Sequence, residues 1–515
     1  MTTTIPTTVD AAQRPPTTDY DVLIVGAGIS GIDAAYHLKT ERPDTTFVVL
    51  EGRDSIGGTW SLFQYPGIRS DSDVPTFGYH FKPWTRETTI SRGRYILEYL
   101  RQAVGENGLA EHIRFGYRVI DAAFSRLHQR WTVTAQHSGT GETTRFSARF
   151  LFLGCGYFDY DTPFTPEFPG AEDFGGPIIH PQHWPQDLDY TGKNVVVIGS
   201  GATAVTLIPA MADKTGHITM LQRSPSYLFT RPEIDGIGKA LTRLLGRDRA
   251  YPIIRRKNIA FLKTTYALCQ RFPKTMSRLL ITLARRQLPK DFDVDTHFTP
   301  RYHAWEERLC LVPGGPGFKG GDFFKAISSG RASVVTDRIE RFTKTGILLE
   351  SGRELPADII VTATGLNLSV LGKIALTVDG RPVDLPQTQV YKTTMLAEVP
   401  NLAFAFGYAQ LSWTLRVDLI CAHFTRLLDY MDTHRYGMVE PIFDGHPMER
   451  KWLIDLKSGY AARGMPKFPY GGTAVDGPWS VDPDYDQDAK RLTKDPVEDV
   501  ALRFTAAKSA VVHAS

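Results

Sequence analysis

The sequence contains only four cysteines in 515 residues, and no two of them form a CxxC or CxxxxC pair. Redox-active dithiols and cysteine-ligated metals depend on such closely spaced pairs, so we predict neither a dithiol centre nor a metal site. Thiols scattered in this way are typical of a reducing compartment. We therefore expect a cytoplasmic protein whose cysteines are buried and free.

Long apolar runs are also absent, because no window reaches the roughly 18 uninterrupted apolar residues of a membrane span. The net charge of +3 is too small to predict a nucleic-acid partner. Residues 1–18 are rich in Thr and Pro and lack the basic and apolar segments of a signal peptide, so a disordered leader is predicted. Small molecules are the expected partners, and the sequence does not indicate an oligomeric state.

The first glycine-rich turn follows an apolar strand and opens a helical stretch. It places Gly26, Gly28 and Gly31 in GxGxxG spacing, and the next strand ends at Glu51. Backbone N–H groups of such a turn bind a pyrophosphate, and an acid at the strand end accepts hydrogen bonds from ribose hydroxyls. This unit predicts binding of FAD or NAD, and the sequence GGTW at 57–60 offers a second close backbone approach on the flavin side.

A second unit, about 170 residues later, has Gly199, Gly201 and Ala204 in GxGxxA spacing. Its next strand ends at Arg223 and Ser224 instead of an acid. A cation and a hydroxyl match a 2′-phosphate, so this unit predicts NADPH; a plain surface arginine is the alternative. Two such units predict an α/β fold with two Rossmann-like dinucleotide-binding domains, and hydride transfer from nicotinamide to flavin.

The chain is expected to pass twice through both domains, with a helical insertion in the NADPH domain. The predicted boundaries are a disordered leader at 1–18, FAD-binding domain at 19–158, NADPH-binding domain at 159–225, a basic helical insertion at 226–300, NADPH-binding domain again at 301–392, and FAD-binding domain with a C-terminal tail at 393–515. Residues 236–290 carry fourteen basic side chains and one acidic one. A solvated helical face is one interpretation, and weak peripheral contact with anionic lipid is the other.

Between the two units, the pattern FxGxxxHxxxWP occurs at Phe174, Gly176, His180, Trp184 and Pro185. On these residues the chain resembles the type I Baeyer–Villiger monooxygenases, and it closely resembles their branch with the mycobacterial ethionamide-activating monooxygenase. The resemblance implies an enzyme that uses FAD, NADPH and O2 to convert ketones into esters or lactones through a C4a-peroxyflavin, and that also oxidises sulfides or thioamides. The pattern itself acts either as a linker or through a catalytic His180.

The resemblance also implies site residues. The FAD contacts are Ser30, Glu51, Thr59, Trp60, Ser61, Leu62, Asp71 and Val119, beside Gly58 of the GGTW sequence noted above. The NADP contacts are Arg69, Ser70, Asp71, Gly199, Ser200, Gly201, Ala202, Thr203, Ala204, Val205, Arg223 and Ser224. Arg308 corresponds to an arginine over the flavin, where a fixed guanidinium stabilises a peroxide anion and the oxyanion that follows. Asp71 is expected to orient Arg308. A structural ion pair is the alternative for Arg308.

Some features remain open at this point. The glycine-rich loop at 313–321 is either a mobile lid or a tolerated surface insertion. The substrate pocket is expected to be lined by residues around 314–324 and 408–414. Two other functions remain, an N- or S-hydroxylating flavin monooxygenase without Baeyer–Villiger activity and a non-catalytic dinucleotide-binding sensor.

Overall fold

The computed structural model describes residues 18–307, 309–454, 456 and 458–508. The predicted leader, apart from Thr18, and the predicted catalytic Arg308 lie outside the described residues. The helices are α1 Ile29–Glu41, α2 Thr59–Leu62, α3 Val74–Phe77, α4 Gly93–Glu106, α5 Ala202–Met211, α6 Gly236–Leu245, α7 Arg247–Arg271, α8 Pro273–Arg285, α9 Val294–Phe298, α10 Asp322–Ser328, α11 Trp413–Thr433, α12 Gly459–Gly464 and α13 Tyr485–Thr493.

The first predicted unit forms the centre of a nine-stranded sheet. Strand Thr18–Val25 pairs in parallel with Phe47–Glu51 on one side and Thr143–Leu153 on the other. Its apolar end is buried, as expected for a parallel strand covered on both faces. In spatial order the strands are Arg381–Pro382, Ala375–Val378, Tyr117–Ser125, Arg130–His137, Thr143–Leu153, Thr18–Val25, Phe47–Glu51 and Ile113–Phe115, with Leu402–Phe404 also paired to Thr143–Leu153.

The second unit forms a five-stranded, parallel sheet against which α5 packs. In spatial order its strands are Ala332–Thr336, His217–Gln222, Asn194–Ile198, Ile359–Thr362 and Ile178–Ile179. The first sheet is mixed, with parallel pairing around Thr18–Val25, and the second is parallel throughout. Each contains a βαβ unit with a glycine-rich turn, which confirms the predicted α/β fold with two Rossmann-like domains.

The remaining strands form small sheets around these two. They are Leu228–Pro232 with Cys310–Gly314, Ile339–Thr343 with Gly346–Leu349 and Glu354–Pro356, Phe158–Pro163 with Leu366–Leu368, Val390–Tyr391 with Met395–Leu396, Tyr436–Pro441 with Leu502–Ala506, and Lys451–Trp452 with Tyr470–Gly471. Phe158–Pro163 leaves the first sheet and Leu366–Leu368 leaves the second, so the two interdomain connections run side by side.

The chain rejoins the first sheet earlier than the boundary predicted at residue 392. Strand Ala375–Val378 already pairs in parallel with Tyr117–Ser125. The short strands at 375–382 carry no motif and a weak alternation, so the sequence offered no local signal for the crossing. The second passage through the NADPH domain therefore ends close to Ile359–Thr362.

The insertion is helical, as predicted, and its helices begin and end at recognisable residues. The side chain of Asp235 caps α6 by accepting a hydrogen bond from the N–H of Gly238 at 3.0 Å. Gly246, at a φ of +76°, separates α6 from α7, and Pro273 occupies the first position of α8. No helix in the described part of the chain is both long and apolar enough to cross a membrane.

Candidate active site

One cleft of about 1660 Å³ lies at the carboxyl ends of the central parallel strands of both sheets. Single small-molecule sites occupy roughly 300–1,000 Å³, so this cleft has room for more than one ligand. The predicted cofactor residues in its wall are Gly26, Gly28, Ser30, Glu51, Gly58, Thr59, Trp60, Leu62, Arg69, Ser70, Asp71, Val119, Gly199, Ser200, Gly201, Ala202, Thr203, Arg223 and Ser224. The structure therefore gathers most of the predicted contacts in one place.

Four predicted contacts are not part of the cleft wall. A Cβ on Gly31 would lie 1.8 Å from the carbonyl oxygen of Gly26, so this glycine allows α1 to pack against the turn. Ala204 and Val205 are buried on α5. Ser61 is also buried, and its Oγ accepts a hydrogen bond from Nη1 of Arg53 at 2.9 Å. These residues support the cofactor turns from behind.

The first turn is shaped by a left-handed Gly26, whose φ is +95°. Glu51 closes the turn, since its Oε2 accepts a hydrogen bond from the N–H of Ala27 at 2.7 Å. Burial raises the pKa of Glu51, and the hydrogen bonds from backbone N–H groups act against that rise. The N-cap of α1 is Gly28, which supplies no side-chain cap, so the helix N-terminus remains available to an anion.

The second turn follows the same plan. Gly199 has a φ of +138°, and a Cβ there would lie 2.3 Å from the carbonyl oxygen of Ala363. Oγ of Ser200 donates to the carbonyl oxygen of Ser224 at 2.9 Å, which fixes the segment that carries Arg223. Arg223 is exposed and lines the cleft, as a ligand for a 2′-phosphate requires.

Sequence reasoning missed Arg338, a second arginine in the wall of the cleft. It follows strand Ala332–Thr336, and the N–H of Asp337 donates to the carbonyl oxygen of Gln222 at 3.0 Å. Arg338 is exposed and lines the cleft with Arg223. The strand before Arg338 is the neighbour of His217–Gln222 in the sheet, although the two strands are far apart in sequence. The order of strands in a sheet cannot be read from the sequence.

The segment around Arg69 connects the two cofactor turns. Arg69 forms an ion pair with Asp322, the first residue of α10. The hydroxyl of Tyr65 hydrogen-bonds with the side chain of Thr203, and burial raises the pKa of Tyr65. A Cβ on Gly67 would lie 2.6 Å from the Cβ of Ala210, so this loop of the first domain is pressed directly onto α5.

Asp71 lies where this cleft adjoins a second, smaller cavity of about 60 Å³. The small cavity is mostly apolar. Its wall consists of Asp71, Ser72, Asp73, Phe229, Arg231, Phe261, Leu262, Thr265, Trp305, Leu309, Leu311, Gln410, Leu411 and Ser412. Residues 410–412 fall in the predicted lining, whereas Phe261, Leu262 and Thr265 come from α7 and were not foreseen.

The glycine-rich loop at 313–321 does not line either cavity, and neither does the rest of the predicted segment 314–324. The N–H of Gly315 donates to the carbonyl oxygen of Lys319 at 2.7 Å, which closes a tight turn. The N–H of Gly321 donates to Oε1 of Gln287 at 3.0 Å. The loop is thus a turn tied to the insertion, in agreement with the surface interpretation of the two left open by the sequence.

A buried polar network below Asp71 also escaped the sequence analysis. Asp73 is 1% exposed and forms an ion pair with Arg231. It accepts hydrogen bonds from Nδ2 of Asn258 at 3.1 Å and from the N–H of Thr76 at 3.2 Å. Burial raises the pKa of Asp73, while Arg231 and these donors oppose the rise. The network joins the segment that carries Asp71 to the insertion.

The residues of the FxGxxxHxxxWP pattern do not line the cleft. Nε2 of His180 donates to the carbonyl oxygen of Gly365 at 3.2 Å, and its Nδ1 accepts from the N–H of Gln182 at 3.1 Å. Both ring nitrogens are therefore occupied, and burial lowers the pKa of His180. A Cβ on Gly176 would lie 2.2 Å from the carbonyl oxygen of Asp358. Of the two interpretations, this geometry favours a linker that holds the interdomain connections.

Cys155 and Cys310 both belong to the wall of the cleft, and all four cysteines are free. Burial raises the pKa of the Cys155 thiol to about 12. A thiol that stays protonated is unreactive, because the thiolate is the nucleophile. Arg308 lies outside the described residues, but the preceding Glu307 lines the cleft together with Asp71.

Comparison with known proteins agrees with this geometry. Residues 23–235 match a family described as pyridine nucleotide-disulphide oxidoreductase. The chain is 48% identical to the FAD-containing monooxygenase EthA of Mycobacterium tuberculosis over 485 residues, which cover 94% of this chain and 97% of EthA. These findings confirm the resemblance predicted from the FxGxxxHxxxWP pattern.

Two solved structures share the fold. One is an oxidized steroid monooxygenase bound to NADP, with a TM-score of 0.71 and 20% identity, which covers 95% of this chain and 100% of that chain. The other is the open crystal structure of cyclohexanone monooxygenase, with a TM-score of 0.67 and 20% identity, which covers 82% of this chain and 90% of that chain.

Proposed function

Because this chain belongs to the family of FAD-containing monooxygenases that includes EthA, we propose that it is an NADPH-dependent enzyme of the Baeyer–Villiger type that inserts one oxygen atom of O2 into ketones. The products are esters or lactones. The observation that carries this proposal is the cleft that the two glycine-rich turns share. Glu51, which ends the strand after the first turn, and Arg223, which follows the strand after the second turn, both line it. The names of the related steroid and cyclohexanone monooxygenases point to the same substrate class.

The first turn fits FAD. A side chain on Gly31 would collide with the turn, and Gly28 leaves the start of α1 free for a pyrophosphate. Glu51 would accept hydrogen bonds from the adenosine ribose. Bound flavin supplies the electron transfer from NADPH to dioxygen and the reactive oxygen. The protein supplies position and charge.

The second turn fits NADPH. Its helix α5 also lacks a side-chain cap, because the N-cap is Gly201. Arg223 and Arg338 follow two neighbouring strands of the same sheet and line the cleft, where they would bind the 2′-phosphate. Since Arg69 and Asp71 line the same cleft between the two turns, the nicotinamide and the flavin ring would meet beside them.

Arg308 and Asp71 are the proposed catalytic residues. A guanidinium near the reacting oxygen stabilises negative charge on the attacking oxygen and on the oxyanion formed from the ketone. Asp71 would hold that guanidinium in place. The small apolar cavity next to Asp71 would bind the substrate's hydrocarbon part. Soft sulfur accepts oxygen from the same donor, so sulfides and thioamides are proposed as further substrates.

The test is NADPH-dependent oxygen uptake by the FAD-loaded protein with linear, cyclic and aryl ketones and with thioethers, with products identified by mass. We expect esters or lactones from the wild type and a loss of about a hundred-fold or more in rate for Arg308→Ala. Arg301→Ala, at an exposed arginine of the same segment, is the matched control.

Sulfoxides alone would instead identify an enzyme without Baeyer–Villiger activity. Binding of FAD without any oxygen consumption would favour the dinucleotide-binding sensor. Hydrogen peroxide as the sole product would indicate an oxidase.

A further inference from the structure

The charge of this protein is unevenly distributed. Residues 236–290 carry a net charge of +13, whereas the whole chain carries +3, so the rest of the chain has a net charge of −10. A segment of 55 residues therefore presents a strongly cationic surface on a protein that is otherwise acidic. Such a surface attracts anionic partners over a range set by the ionic strength.

Only some of these cations are used inside the fold. Arg255 is buried and donates to the carbonyl oxygens of Pro75, Thr76 and Gly78. Four others pair with acids, namely Lys239 with Glu87, Lys257 with Asp235, Lys263 with Asp486 and Arg285 with Asp295. The exposed cations without an ion pair to any described residue are Arg243, Arg247, Arg249, Arg256, Arg271, Lys274, Arg278, Arg286 and Lys290.

The same segment, together with Ile234 just before it, also exposes apolar side chains. Sixteen large hydrophobic residues are exposed in the described parts of the chain, and nine of them fall between residues 234 and 279. They are Ile234, Ile237, Leu244, Leu245, Ile253, Phe261, Leu268, Phe272 and Leu279. A solvated helical face has no need for this set, and single exposed apolar residues are the norm elsewhere.

The cations and the apolar residues share the outer side of α7. Its exposed positions recur with helical spacing at 249, 253, 256, 260, 264, 267 and 271. The opposite side of α7 is buried, and through Arg255 and Asn258 it is fixed to the segment around α3 and Asp73. The outer side therefore has no partner within the described fold.

We propose that the outer side of α6, α7 and α8 is a peripheral surface that docks on anionic lipid bilayers. Isoleucine, leucine and phenylalanine side chains enter the boundary of the acyl chains, while the interleaved arginines and lysines contact acidic headgroups. Nucleic acid would engage the cations and leave the apolar residues unused, so a bilayer accounts for both.

The surface adjoins the small cavity. Phe261 is 45% exposed and also belongs to the cavity wall, together with Leu262 and Thr265 of the same helix. Docking would therefore bring the apolar cavity close to the bilayer. This consequence rests on the proposed function, whereas the docking itself does not.

The test is flotation of the full-length, FAD-loaded protein with vesicles of phosphatidylcholine alone and of phosphatidylcholine mixed with phosphatidylglycerol. We expect the protein to float only with the anionic vesicles. At about 1 M salt, where the Debye length falls to roughly 3 Å, binding decreases strongly.

Two double variants separate the contributions. Arg249→Glu with Arg256→Glu, and Ile253→Ser with Leu268→Ser, each lower the partition coefficient roughly tenfold or more. The matched controls are Arg101→Glu with Lys193→Glu, and Val475→Ser with Val500→Ser, at exposed positions outside the insertion. Flavin content and melting temperature verify that every variant folds.

Several outcomes overturn the proposal. One is an absence of binding to anionic vesicles at low salt, and another is an equal loss of binding in the control variants. Binding to a DNA duplex without binding to vesicles would assign the surface to nucleic acid. A dimer that the Ile253→Ser, Leu268→Ser variant dissociates, again without vesicle binding, would assign it to a second copy of the chain.

Discussion

Replacing Arg223 or Arg338 by alanine tests how the cleft distinguishes NADPH from NADH. The two residues follow neighbouring parallel strands, and both are exposed in the cleft. Neither forms an ion pair with another described residue. Their guanidinium groups are therefore available to a 2′-phosphate, which NADPH has and NADH lacks.

The expected magnitude follows from this exposure. A hydrogen bond to a charged group contributes about 1.5–3 kcal/mol, and solvent screening places these exposed arginines at the lower end. Since 1.4 kcal/mol corresponds to a factor of ten, each single variant weakens NADPH binding about tenfold. Both arginines would contact one phosphate, so the double variant should lose less than the product of the two single effects.

The assay is anaerobic stopped-flow reduction of the bound flavin, at varied concentrations of NADPH and of NADH. It yields a dissociation constant for each nucleotide and a limiting reduction rate. The limiting rate should stay close to that of the wild type, because the 2′-phosphate is distant from the nicotinamide ring.

Arg341→Ala is the control, because Arg341 is exposed in the same segment but does not line the cleft. An equal loss of NADPH and NADH affinity in the variants would contradict recognition of the 2′-phosphate by these arginines. A changed preference in Arg223→Ala alone would contradict this role for Arg338 only.

Further predictions concern buried polar groups. Asp73→Ala lowers the free energy of unfolding by about 3–5 kcal/mol in urea denaturation, because Arg231 stays buried without its partner, whereas exposed Asp54→Ala changes it little. Burial lowers the pKa of His423 to about 3. Neutral His423 therefore stabilises the fold above about pH 6.5, and the melting temperature should decline as the pH falls from about 6.5 towards 3. His423→Asn should flatten that decline. Burial opposes charge on His37, but hydrogen bonds with Asp418 and Glu41 raise its pKa to about 10. Charged His37 therefore stabilises the fold fully below about pH 6.5, and this stabilisation is lost as the pH rises towards 10. In His37→Gln the melting temperature should no longer show this alkaline loss. Cys155→Ser should retain wild-type oxygen uptake, since the thiol is neutral, and a large loss would contradict the absence of thiol chemistry.

The cofactor turns were predictable because their backbone conformations require glycine at fixed positions in the local sequence. Only glycine fits at Gly26 and Gly199, where φ is positive and other backbone atoms lie close to the Cβ position. Glu51 and Arg223 were predictable for a related reason, since each ends the strand that follows a glycine turn. These features need only the order of residues within one βαβ unit.

The missed features depend on contacts between distant parts of the chain. Arg338 belongs to the site because its strand lies next to His217–Gln222, and sheet order is not encoded locally. The lining of the small cavity was misjudged because α7 returns across the segment that carries Asp71. The boundary at 392 was misplaced because the strand Ala375–Val378 is too short to show a clear period.

The network around Asp73 explains why the insertion belongs to the catalytic fold and is not a separate appendage. Asp73 lies two residues after Asp71. Arg231 reaches it from strand Leu228–Pro232, and Asn258 reaches it from within α7. A carboxylate at 1% exposure needs these partners, since a buried charge without them costs several kcal/mol. Any displacement of α7 would therefore disturb the segment that carries Asp71. The helix that presents the outer cationic surface thus also forms one wall of the small cavity and fixes the segment that carries Asp71, a proposed catalytic residue.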